Sequence, residues 1–173
     1  MKNRIRILFL ALASVFMLAA CGPSDEDKQK AAEAAAQALA NAPVPLPAAG
    51  ADDAAWQKYL VSVVKRNMQD VKTNHPFMYY VPGGDDLSAE EGRGRQLDEV
   101  KNTVARGVLP GNMLVFAGPD SAKTADLVVA AFKDAKPGSF KDVIILFIGD
   151  QADQQRVDGV LKPTGATVRF VAM

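Results

Sequence analysis

The chain has 173 residues, 49% of them hydrophobic, with 20 basic and 20 acidic side chains, one histidine and one cysteine. Balanced charge gives no electrostatic case for a nucleic-acid partner, and a lone cysteine excludes disulfides within the chain and iron–sulfur clusters. The length fits a single domain, which must be held together by packing alone.

The first stretch of note is N-terminal. Lys2, Arg4 and Arg6 precede an apolar run from Ile7 to Ala20 that only Ser14 interrupts. At ~14 residues and ~1.5 Å per residue the run covers ~21 Å, too short for a bilayer core of ~30 Å. It suits the hydrophobic region of a signal peptide, and the small residues Ala19 and Ala20 suit a processing site. Leu18-Ala19-Ala20-Cys21 places the sole cysteine after an aliphatic and two small residues.

Here the chain resembles the bacterial membrane lipoproteins, over residues 1–21 and no further. The resemblance implies cleavage before Cys21, a diacylglyceryl group on its sulfur and an acyl chain (palmitate) on the new amino group. Each buried methylene contributes ~0.8 kcal/mol, so several chains together anchor a protein almost permanently. Gly22 stands where an aspartate would mark inner-membrane retention in Gram-negative lipoproteins. The implied location is the outer membrane, facing the periplasm. Setting aside Lys2, Arg4 and Arg6 leaves three more acidic than basic residues, which does not favour an anionic lipid surface as a partner.

Residues 21–50 read as lipid anchor and linker. Lys30 to Ala42 is alanine-rich, with high helix propensity but no apolar stripe to bury. Pro43, Pro45 and Pro47 then favour extended polyproline II at ~3.1 Å per residue. The expected role is to space a domain, residues 51–173, away from the membrane.

Within that domain, Trp56, Tyr59, Leu60, Val63, Val64, Met68 and Val71 recur at helical spacing, predicting a helix from Asp52 to Lys72. His75-Pro76 stops it. Phe77–Val81 reads as a strand closed by Pro82-Gly83-Gly84. Ser88 and Glu91 form a capping-box pattern that starts a second helix. Gly92 and Gly94 weaken its first turns, and Leu97, Val100, Val104 and Val108 mark its buried face. Met113–Ala117 is a strand, and Asp120 or Ser121 caps a helix reaching about Ala135. Val143–Ile148 is apolar without alternation, as a strand covered on both faces would be. A helix from Gln151 to Lys162 and a strand from Thr167 to Ala172 follow. Arg169 within it argues for an edge or partly exposed position. The order α-βαβαβαβ predicts a small three-layer α/β sandwich with about four parallel strands, preceded by a flexible tether.

Three strands end in glycine followed closely by aspartate. Ligands of open α/β sheets bind beyond the carboxyl ends of the strands. Asp85, Asp86, Asp120, Ser121 and Asp150 therefore form the candidate ligand edge, with oxygen donors suited to Mg²⁺ or Ca²⁺. The plainer reading is that glycine makes each tight turn and aspartate caps the next helix. No G-x-G-x-x-G or G-x-x-x-x-G-K-[ST] occurs, which argues against nucleotide binding of those kinds. Ser121 lacks the G-x-S-x-G elbow. His75 has no nucleophile to serve. Arg93 and Arg95 suit a carboxylate or phosphate clamp, or a solvated loop. No catalytic residue, metal site or cofactor is expected. The expected function is a non-enzymatic domain that binds another protein in the periplasm, an envelope assembly component or an incoming toxin. The alternative is a small-ligand or divalent-cation site, binding or enzymatic, on the aspartate edge.

Overall fold

The computed structural model describes residue 26, residues 28–30, 32–33, 43–48 and 50–173. The expected signal peptide and Cys21 lie outside the described residues. The chain divides into two compact units, Met1–Asn41 and Ala42–Met173. The second unit carries the sheet.

Its first helix, α1, runs Asp53–Arg66. Asp52 caps it by accepting the Ala55 N–H at 2.8 Å. The periodicity predicts six residues more at the carboxyl end than the helix has. It stops because Asn67 turns its backbone N–H to the Val64 carbonyl at 2.9 Å and its side-chain amide to that of Val63 at 2.8 Å. Asp70 then adopts a φ of 65°. Met68 and Val71 keep the apolar rhythm because they pack against the same cluster from a turn. An isolated helix of this length is marginal in water. Leu60 and Val63, 2% and 1% exposed, each contribute about 1.5–3 kcal/mol by burial.

β1 (Phe77–Tyr80), α2 (Leu87–Arg106), β2 (Met113–Ala117), α3 (Ser121–Phe132), β3 (Ile144–Gly149), α4 (Gln151–Leu161), a short 3₁₀ turn (Lys162–Thr164) and β4 (Thr167–Ala172) complete the unit. The α/β class and the four parallel strands match the sequence reading. The capping box does not: α2 begins one residue before Ser88. Asp86 is its cap, accepting the Ala89 N–H at 3.0 Å. α2 is also continuous through Gly92 and Gly94.

The strand order is β1-β2-β3-β4, all parallel. Each right-handed crossover advances the chain in the same direction, so α2, α3 and α4 share one face of the sheet. Leu114, Phe116, Ile145 and Phe147 face Val100, Val128, Phe132 and Val157 in that layer. The alternate residues Met113, Val115, Ile144 and Leu146 face Trp56, Leu60 and Val64 of α1. β2 and β3 are buried throughout, as their unbroken apolar runs require.

Two details connect the ends of the unit. β4 is an edge strand, and its Arg169 donates to the Asn67 carbonyl at 2.5 Å and to Asp70 at 3.1 Å, closing the carboxyl end of α1. Val44, from the proline-rich stretch read as linker, packs against the α1 layer. Its N–H reaches the Ser62 hydroxyl at 3.3 Å. The compact unit runs Ala42–Met173.

Candidate functional site

The carboxyl ends of the strands carry the five residues singled out from the sequence. Asp86 and Asp120 are helix caps. Asp120 Oδ1 accepts the Lys123 N–H at 3.0 Å, opening α3. Asp150 holds the equivalent position before α4 but makes no side-chain capping bond. Ser121, 4% exposed, serves that corner. Its hydroxyl accepts the Asp150 N–H at 2.6 Å and donates to Asp153 Oδ2 at 2.5 Å.

Apart from Asp86, these residues fall into two groups, not one site. Asp85 and Asp120 converge on Lys123, whose ammonium lies 2.6 Å from Asp85 Oδ1 and 3.5 Å from Asp120 Oδ2. It also donates to the Gly84 carbonyl at 2.5 Å. The hydrogen bond from Lys123, then its charge, lowers the Asp85 carboxyl below its ordinary range. The same bond holds the ammonium pKa above its own. Lys123 stands where a divalent ion shared by these two carboxylates would have to stand. Among the described residues no group of three metal-ligating acids or histidines converges.

The second group is Ser121, Asp150 and Asp153, which Arg156 closes. Its guanidinium pairs with Asp126, bonds Asp153 at 2.8 Å and donates to the Ala122 carbonyl at 2.8 Å. The bond to Asp126 leads in raising its pKa. Arg93, a candidate anion clamp, instead donates to the carbonyls of Pro82, Gly83 and Gly84 at 2.9–3.3 Å. It fastens the β1–α2 turn.

The turns leave no gap between them. A side-chain carbon on Gly118 would lie 2.2 Å from the Val81 carbonyl oxygen, and one on Gly149 would lie 2.6 Å from the Ser121 hydroxyl. Topology gives the reason. Open sheets form a ligand crevice where neighbouring crossovers leave on opposite faces. Here every crossover leaves on the same face, so that divergence does not occur and the turns pack on one another.

Lys123, Asp126, Asp153 and Arg156 were missed from the sequence. The spacing of Asp120 with Lys123 and of Asp153 with Arg156, three residues apart on one helix face, is the available signal. No family model, characterised protein or solved structure matches the chain. Among the described residues no helix is long and apolar enough to cross a membrane.

Proposed function

We propose that the chain is an outer-membrane lipoprotein, anchored at Cys21, whose α/β unit binds another protein in the periplasm. An envelope assembly component or an incoming toxin fits this role. The observation that carries the reading is Leu18-Ala19-Ala20-Cys21, with the only cysteine at the position of lipid attachment. A permanent anchor followed by a spacer serves a domain that must reach a partner without leaving the membrane.

The form of the carboxyl edge supports a partner over a small ligand. Asp85, Asp86 and Asp120 are engaged as caps or as partners of Lys123, and the turns behind them are in contact. Large apolar side chains are offered at the surface instead: Leu109 is 77% and Leu87 71% exposed. Two measurements test the reading. Cys21→Ser blocks lipidation and leaves unprocessed precursor; normal maturation to a soluble periplasmic form would refute the anchor. Photo-crosslinking from several surface positions in intact cells recovers one specific envelope protein or toxin. Calorimetric binding of Mg²⁺ or Ca²⁺ that depends on Asp120 or Asp150 would refute the protein-binding role.

A further inference from the structure

The crossover helices run antiparallel to the strands, so their carboxyl ends lie at the amino edge of the sheet. There a groove of about 410 Å³ opens between the end of α2, the end of α3 and the segment 134–139. Its inner surface includes Val104, Ala131 and Ala135, which also pack on the core. Lys101 and Arg106 stand on the α2 wall and Lys136 on the opposite wall. All three are exposed. Among the described residues none of these three side chains has a salt-bridge or hydrogen-bond partner, whereas Arg93, Lys123, Arg156 and Arg169 are each held by two or more acceptors. One carboxylate, Asp134, shares the rim.

Helix dipoles explain part of this charge. Arg106 lies in the last turn of α2, where carbonyls favour a cation. That effect fades within a turn, so it does not account for Lys101, which lies more than a turn before the helix end. Three unpaired cations on two walls of an apolar-floored groove are complementary to an anionic ligand with a small apolar body.

We propose that this groove docks an acidic segment of the partner protein, one that sets carboxylates on both sides of a small or aliphatic side chain. The inference rests on the protein-binding reading above and names the surface and the chemistry. A protein segment fits better than a membrane. The charge lines the walls of a concavity, which a flat bilayer cannot enter, and the chain beyond Arg6 carries a surplus of three acids.

The test uses the processed, full-length lipoprotein in nanodiscs made of zwitterionic lipid. The probes are two labelled helical alanine–leucine peptides, one with glutamates four residues apart and one with glutamines there. Anisotropy should show saturable binding of the glutamate peptide alone, weakening as salt rises. Arg106→Glu with Lys136→Glu should reduce it at least about tenfold, and Lys58→Glu, on α1, should leave it unchanged. Unchanged urea midpoints confirm that the variants fold. Equal binding of both peptides, or no effect of the groove reversals, overturns the proposal. So does attraction to anionic vesicles that the same reversals abolish while the glutamate peptide is ignored. A photo-crosslinking residue at Ala105 or at Gln57 separates failure of the groove from failure of protein binding. A specific partner captured from position 57 and not 105 overturns the groove alone. Capture from neither overturns protein binding itself.

Discussion

The two ends of the sheet are built from similar residues and differ in what those residues have left to give. At the carboxyl edge, Lys123 and Arg156 each hold two carboxylates and a main-chain carbonyl. At the amino edge, Lys101, Arg106 and Lys136 line a groove, and among the described residues their side chains make no salt bridge or hydrogen bond. Acidic side chains at strand ends resemble a site in the sequence, yet Asp85, Asp86 and Asp120 are taken up in capping and bracing the turns. Three cations free to meet another molecule lie together at the far end, where nothing in the sequence pattern marks them.

The largest effect that tests this contrast comes from a single carbon. Gly118→Ala puts a methyl 2.2 Å from the Val81 carbonyl oxygen. That carbonyl cannot retreat easily, because the Val81 N–H is bonded to the Ala117 carbonyl at 2.8 Å. Overpacking of this kind costs about 3 kcal/mol, read from urea unfolding. Gly94→Ala, on α2 with nothing within 4 Å of the added carbon, should instead stabilise by up to about 1 kcal/mol. Equal tolerance of both substitutions would show that the carboxyl turns have room to spare.

Ser121→Ala comes next. It removes the acceptor of the Asp150 N–H and the donor to Asp153. A buried polar group left unpaired costs about 1–3 kcal/mol. Arg156→Gln, at a more exposed position, should cost about 1 kcal/mol or less. Reversing Lys101 or Lys136 should change stability by less than about 0.5 kcal/mol, as for surface positions without partners. A larger loss at the amino edge than at Ser121 would invert the comparison, and chemical denaturation of the four variants decides it.

How much of the molecule is legible in its sequence depends on range. The parallel α/β order was legible because β2 and β3 are unbroken apolar runs and the helices between them keep one buried stripe. The end of α1 was not, since Met68 and Val71 pack on the core whether helical or turned. Caps at Asp86 and Asp120 were legible as a class, from aspartate before a helix. The corner at Asp150 was not, because Ser121 reaches it from 29 residues away in sequence. Strand order was likewise beyond reach, and it alone decides that the aspartate edge lacks a crevice. The groove depends on which helix ends meet, a contact between α2 and α3 that periodicity cannot specify.

The smallest expected effect is a titration. Asp85 is lowered chiefly by its hydrogen bond from Lys123, so the pair stabilises the β1–α2 turn above the ordinary carboxylate pKa of ~3.9. That contribution is lost as pH falls through the lowered folded value. Lys123 is raised by the same bond, so on the alkaline side the contribution is full below ~10.4 and lost as pH climbs through the raised value. Both groups lie at the surface, where ion pairs add little to global stability, and the readout is therefore local. The Asp85 carboxyl carbon resonance should titrate below the range of free aspartate, and Lys123→Met should return it there. Identical midpoints in the two proteins would mean that the ammonium does not rest on Asp85. The carboxyl edge would then hold a cation as free as those of the groove, and the distinction between the two ends of the sheet would narrow to packing.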